Sequence, residues 1–244
     1  MERWLLITGA GQRIGAALAE HFAARGWNLV LHANRSQTHA DGLAAQLTKA
    51  HGVRTHRVTC DLSDDHALAD FWNGLPPVQA LVHNAATFDR DTLAAMDIAV
   101  LHKQLQVNFI APLLLTQGFM RQLAPDATGS VVILGDGVMG WSVSPEFFSY
   151  SVSKHAWVGT LDLLAAACAP RARVNLVALA PTLPGPTDTP ELFERLAARA
   201  PLARTGTPHD VCHAVDYLMG AEGVTGQWLS LAGGMELATA RPLP

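Results

Sequence analysis

What this 244-residue chain can fold into is constrained most by an alternation of short apolar runs with longer stretches of helical spacing. The runs Trp4–Ile7, Leu29–Leu31, Arg54–Thr59, Ala80–His83, Ser130–Leu134, Val174–Leu179 and Trp228–Leu231 read as strands. Between and after them, Ile14–Arg25, Gly42–Ala50, Ala67–Trp72, Leu101–Gln122, Ser151–Ala167, Glu191–Ala200 and His209–Met219 read as helices. Such alternation predicts a doubly wound α/β fold: a parallel sheet of about seven strands with helices on both faces. Arg25-Gly26 closes the first helix where glycine most easily turns left-handed, and Pro208 stands where a helix can begin. No repeat or linker interrupts the pattern, so residues 1–244 are expected to form a single domain. The proline-rich segment Thr182–Pro190 reads as a flexible loop beside the site.

Composition narrows the classes of function. With 49% hydrophobic residues, 16% charged residues and a net charge of −4, the chain can bury a sizeable core and has no polyelectrolyte face for nucleic acid. No apolar run approaches the roughly 20 residues that span a bilayer, and Met1-Glu2-Arg3 leads into Trp4 without a signal-peptide layout. Neither membrane association nor export is therefore expected. Cys60, Cys168 and Cys212 lie far apart without C-x-x-C pairing, which fits a reducing cytoplasm, and the eleven histidines lack zinc spacing, so no metal is expected.

Directly after the first strand stands Thr8-Gly9-Ala10-Gly11-Gln12-Arg13-Ile14-Gly15, followed by an alanine-rich helical pattern. Small residues there let the backbone approach a pyrophosphate, while the helix presents free N–H groups and its positive end. After the second strand the chain reads His32-Ala33-Asn34-Arg35-Ser36, without the carboxylate that would bind a ribose 2′-hydroxyl and repel a 2′-phosphate. The forked donors of Arg35 and the hydroxyl of Ser36 argue for NADPH/NADP+ over NADH.

Tyr150-Ser151-Val152-Ser153-Lys154 puts a phenol and an ammonium on one helix face, four residues apart. A cation there would lower the phenol pKa and make Tyr150 a better acid toward a C=O or C=N group. Thr8–Gly15, Asp61, His83-Asn84-Ala85-Ala86, Asn108 and Tyr150-x-x-x-Lys154 together resemble the ordered motifs of the short-chain dehydrogenase/reductase family, over nearly the whole chain. That resemblance implies a Rossmann-type fold in which Tyr150 is the acid, Lys154 holds the nicotinamide ribose and Asn108 organises a proton relay. It also implies that Asp61 and Leu62 meet adenine, that Asn84 and Ala85 border the cofactor, and that the subunits form a homotetramer through the fourth and fifth helices. Pro181 and Leu183 fall where the family's nicotinamide-facing segment begins, although Thr182 replaces its usual glycine.

Three residues resemble one branch, the pteridine and dihydromonapterin reductases: Arg13 in place of glycine, Asp136 in place of serine, and Phe88 after the Asn84 motif. In that branch the matching arginine reaches cofactor phosphate and pterin, the aspartate joins the tyrosine in proton delivery, and the phenylalanine stacks on the pterin. Independently of the name, an aromatic ring can hold a flat heterocycle and a carboxyl group can bond its amino-pyrimidine edge. Phe88 reads equally as a core residue and Asp136 as a turn residue. Met139-Gly140-Trp141 and Phe147-Phe148 fit a pocket lining or simple packing. Other carbonyl substrates, namely a ketoacyl thioester, a sugar or a xenobiotic ketone, use the same machinery, and a non-catalytic NADPH sensor would retain the fold.

Overall fold

In a computed structural model, residues 2–139, 144–184 and 189–240 are described below. Seven strands, β1 (Trp4–Ile7), β2 (Asn28–Ala33), β3 (Thr55–Thr59), β4 (Ala80–His83), β5 (Gly129–Asp136), β6 (Ala172–Leu179) and β7 (Trp228–Leu231), form one sheet in the order β3-β2-β1-β4-β5-β6-β7. Every pairing is parallel. The strands alternate between two cores. Trp4 and Leu6 of β1 join the cluster containing Phe119 and Trp157, whereas Leu5 and Ile7 join the one containing Phe22 and Leu47. A strand buried on both faces has no polar side to show, which is why these runs read as continuously apolar.

Helices α1 (Arg13–Ala23), α2 (Gln37–His51) and α8 (Pro208–Gly220) cover the second of these cores. On the other side lie α3 (Asp65–Ala69), α5 (Ala111–Gln122) and α6 (Phe148–Cys168). Helix α4 (Ile98–Leu105) runs into α5 through a π-helical turn, Gln106–Ile110, and α7 (Pro190–Ala198) and α9 (Met235–Ala240) follow later in the chain. Helix α8 opens with a complete capping box in which Thr207 and Asp210 satisfy each other's backbone N–H groups, and Pro208 sits at its first position as expected.

Ile98–Gln122 is a 25-residue helical stretch long and apolar enough to cross a membrane by length and composition. Inside this fold Ala111, Leu115 and Phe119 spend that apolarity on the sheet, where each is buried. Strand β5 also runs two residues beyond its expected end, pairing Gly135 with Ala178 and Asp136 with Leu179. Asp136 is thus the last residue of a strand, and the turn reading of it is set aside.

Because β1 pairs with β2 on one side and β4 on the other, the chain order reverses between β1 and β4, and a crevice opens at their carboxyl ends. Beside it His83, the last residue of β4, is fully enclosed. The Thr116 hydroxyl donates to the Pro112 carbonyl at 2.8 Å, so the 2.9 Å contact with His83 Nε2 requires a proton on that nitrogen. Burial pushes the His83 pKa down to about 3, from 6.5. A depressed imidazole contributes stability that is complete above pH 6.5 and is lost as pH falls toward 3. His83→Asn should therefore lower the thermal midpoint at neutral pH yet flatten its decline across that window, over a background from His32 and His21, which burial also depresses. Parallel decline in thermal scans of both proteins would show that His83 carries none of this acid sensitivity.

Candidate active site

The crevice holds a cleft of about 470 Å³ lined by Gly9, Arg13, Ile14, Asn34, Arg35, Ser36, Asp61, Leu62, Asn84 and Ala85, all singled out from sequence. Gly11 and Gly15 stand immediately behind it. A Cβ on Gly15 would lie 2.1 Å from the Gly9 carbonyl oxygen and 2.8 Å from Asn84 Nδ2, and one on Gly11 would lie 2.6 Å from Ser36 Oγ. Side chains at either position would collide with the walls of the turn, so its tight backbone path, which suits a backbone-bound pyrophosphate, depends on glycine there. Its walls are tied by Asn84, whose Nδ2 donates to the Thr8 and Gly9 carbonyls at 2.8 and 3.0 Å. Thr8 Oγ1 accepts in return from the N–H groups of Asn84 and Ala85, both at 3.0 Å.

Sequence reasoning missed His32. Its Nδ1 accepts the Gly9 N–H at 3.1 Å, which leaves the proton on Nε2 to donate to the Cys60 carbonyl at 3.0 Å. Burial lowers the His32 pKa, and the neutral ring joins the ends of β1, β2 and β3 beneath the cleft. A buried polar residue at the end of an apolar strand was the available signal. Asp61 accepts from the backbone and hydroxyl of Ser63 at 2.9 and 2.7 Å. Those bonds hold its carboxyl below the usual range, with smaller contributions from Asn34 and Arg35.

Arg13 has a φ of 55°, so it occupies the left-handed region that its usual glycine would enter freely. A non-glycine residue there costs about 1–2 kcal/mol. Its guanidinium donates to the carbonyls of Leu183 and Pro184, at 3.3 and 3.0 Å. Leu183 is thereby joined to the turn by its backbone, and Pro181 beside it is exposed. Residues 185–188 of the proline-rich segment, like Gly140 and Trp141, lie outside the described residues.

The second half of the site forms where β5 ends and α6 begins. Tyr150 Oη donates to Asp136 Oδ2 at 2.6 Å. Lys154, one turn further along α6, donates Nζ to the Leu134 carbonyl at 3.1 Å and stands 5.8 Å from the Tyr150 ring centroid. One expectation is overturned here: the Tyr150 phenol is held well above its ordinary pKa, first by burial and then by the charge and hydrogen bond of Asp136. The same burial lowers the Lys154 pKa, opposed by Asp136. Burial and the carboxylate at bonding distance therefore set the direction of the shift.

Asn108 lies in the π-turn, a local widening frequent at functional sites. The two hydrogens of its Nδ2 are shared among Thr87 O, Gln104 Oε1 and Ser153 Oγ, all within 3.1 Å, and Ser153 Oγ donates to the Tyr150 carbonyl at 2.7 Å. Asn108 thus reaches the Tyr150 helix through Ser153. Phe88 is 58% exposed, stacks on Phe147 at 4.2 Å and meets the Tyr150 ring edge-on at 4.6 Å. It is therefore no core residue, whereas Met139 is buried in the core. The assembled geometry presents an exposed aromatic ring, and a phenol and a carboxyl group in contact, beside a cleft shaped for a dinucleotide.

Residues 9–236 match the family model described as Enoyl-(Acyl carrier protein) reductase. Short-chain dehydrogenase/reductase SDRA of Arabidopsis thaliana is 30% identical, over 94% of this chain and 93% of that protein. The 3-oxoacyl-[acyl-carrier-protein] reductase FabG of Aquifex aeolicus is 28% identical, over 94% and 96%. Among solved structures, FolM alternative dihydrofolate reductase 1 of Brucella suis, in complex with NADP, superposes with a TM-score of 0.88 at 33% identity, covering 98% of both chains. With a seven-stranded sheet of this order and a match along nearly its full length, the chain belongs to the short-chain dehydrogenase/reductase family of oxidoreductases.

Proposed function

We propose that this protein is an NADPH-dependent reductase of a pterin-type C=N bond, with Tyr150 as the proton donor. The observation that carries the reading is the 2.6 Å hydrogen bond from Tyr150 to Asp136, formed beside the exposed Phe88. A serine at position 136 would polarise a ketone, whereas a carboxyl group can share a proton with the phenol and bond an amino-pyrimidine edge. Likeness to the Brucella FolM structure, at 33% identity, supports the same substrate class.

Bound NADPH would supply the hydride. The turn from Gly9 to Gly15 and the first-turn N–H groups of α1 would hold its pyrophosphate, with Arg13 beside them. Arg35 and Ser36, next to Asn34, would read the 2′-phosphate; Asp61 and Leu62 would meet adenine. Asn84 and Ala85 would border the nucleotide, Lys154 the nicotinamide ribose, and Pro181 with Leu183 the nicotinamide.

With Asp136 ionised, the single phenol proton points at the carboxylate. A proton on Asp136 lets the carboxyl group donate to the phenol oxygen and turns the Tyr150 O–H outward, toward substrate. Proton delivery is then a property of the pair, with Asp136 the reserve and Tyr150 the outlet. A flat heterocycle laid on Phe88 would present its ring edge to both groups, and Arg13 would meet it from the phosphate side. In this reading residues 1–244 act as one cofactor-binding domain. Exposed Ile98 on α4, Ile110 in the π-turn and Leu114 on α5, with Val152 and Val158 on α6, suit packing into a homotetramer.

Ketone reduction is the second reading, favoured by the FabG relative at 28% identity. A panel of dihydrobiopterin, dihydromonapterin, dihydrofolate and ketoacyl thioesters, followed by NADPH absorbance, separates the two. Turnover of the thioester alone overturns the pterin reading, and tight NADPH binding without any turnover indicates a sensor. Tyr150→Phe should lower kcat by roughly 100-fold or more with NADPH affinity retained, and an unchanged rate would remove Tyr150 as the acid. Asp136→Ser should weaken pterin turnover relative to ketone turnover; an unaltered ratio would show that the carboxyl group does not select substrate. Arg35→Asp should move the kcat/KM preference from NADPH toward NADH, and a constant ratio would mean that another residue reads the 2′-phosphate.

A further inference from the structure

We propose that Asp91 is a positioning residue: it caps, from the loop after β4, the helix that carries Tyr150, and so fixes the acid and the Phe88 shelf relative to each other. Helix α6 starts at Phe148 with Phe147 as its N-cap, a residue whose side chain makes no capping hydrogen bond. The first N–H groups of a helix lack intrahelical acceptors and need others.

Asp91 supplies them from 58 residues upstream of Ser149. Its Oδ1 accepts the Ser149 N–H at 2.9 Å, and its Oδ2 accepts from the Ser149 hydroxyl. The Asp91 carbonyl accepts the Phe148 N–H at 3.2 Å, and its own N–H donates to the Glu146 carbonyl at 3.2 Å. Both backbone groups and both carboxyl oxygens of Asp91 are thus engaged by residues 146–149, with Asp91 and Phe147 paired as an isolated parallel bridge. A carboxylate at this end of α6 also meets the positive pole of the helix.

The contact orders the aromatic groups as well. Phe88, three residues before Asp91, stacks on Phe147 at 4.2 Å with 14° between the planes, and touches Tyr150 edge-on. Arg90 pairs with Glu146 and lies 5.7 Å from the Phe147 ring centroid. One clamp, residues 88–91 on residues 146–150, therefore holds both the shelf and the phenol. Asp91 does not line the nucleotide cleft, so the clamp is separable from nucleotide binding. Since reaction rates respond steeply to misplacements of about 1 Å, slack in the first turn of α6 should appear in catalysis before it appears in binding.

The inference rests on the reading of Tyr150 as the acid, and one of its readouts needs no substrate. The chain has two tyrosines, Tyr150 and Tyr217, so the 13Cζ resonance of Tyr150 is assigned by comparison with Tyr217→Phe. In Asp91→Ala that resonance should shift or broaden as the Asp136 contact loosens, kcat for dihydromonapterin should fall about tenfold or more, and NADPH affinity should stay within about twofold. Asp91→Asn keeps an acceptor for the Ser149 N–H and should recover part of the rate. An unchanged resonance with wild-type kcat overturns the proposal. So does a joint fall of kcat, NADPH affinity and thermal stability that Asp91→Asn fails to relieve, which marks a general scaffold residue. Should Asp91→Ala not fold, Ser149→Ala decides, because it removes only the hydroxyl contact: reduced kcat with intact NADPH affinity is expected, and full kcat overturns. Retained activity in Tyr150→Phe would instead defeat the acid assignment, leaving the resonance to report on Asp91 alone.

Discussion

The cleft depends on how closely α1 approaches the end of β1, a contact that only glycine at position 15 allows. The Gly9 carbonyl occupies the space that any Cβ there would need, and Asn84 holds that carbonyl in place from the next strand. Turn, helix and strand order are thereby one constraint. Where β1 is flanked by β2 and β4, the chain departs to opposite sides, and in the gap left above the strand ends turn backbone, Arg35 and Asn84 all face a common volume.

Much of this was legible because the fold expresses itself in local patterns. Trp4–Ile7, Ala80–His83 and Trp228–Leu231 begin and end in the structure where their apolar runs do. Strand β5 ran past its expected end because Gly135 and Asp136 carry no apolar signal, yet their backbones continue to pair with β6. Likewise α6 begins before its helical pattern does, since its first turn is stabilised by a remote carboxylate rather than by a residue of its own. Contacts of that kind link positions far apart in the chain, and no local period reports them. His32 was missed for the same reason: its role is set by Gly9 and Cys60, which neighbour it only once the sheet is built.

The electrostatics of Tyr150 show what spacing alone leaves out. Four residues on a helix place Lys154 on the correct face, but its ammonium donates to the Leu134 carbonyl, while Asp136, two residues further along the same strand, lies within hydrogen-bond reach of the phenol. Distance and burial decide the sign, so the tyrosine is held in its neutral form more firmly than an isolated phenol. A tyrosine of this kind is a reluctant phenolate, and whatever drives its proton onto a substrate must also reorganise the carboxyl group beside it.

Arg13 carries a consequence of another sort. Its guanidinium is engaged by the carbonyls of Leu183 and Pro184, across some 170 residues of chain. An anion that took over those two donors would release the carbonyls and loosen their tie to the turn, whereas one bound through the remaining N–H groups would leave the tie intact. Where the two oxygens and an anion compete for the same donors, any compound that secures the 183–184 backbone makes the cation harder to win, and the two ends of the crevice then share a single free energy.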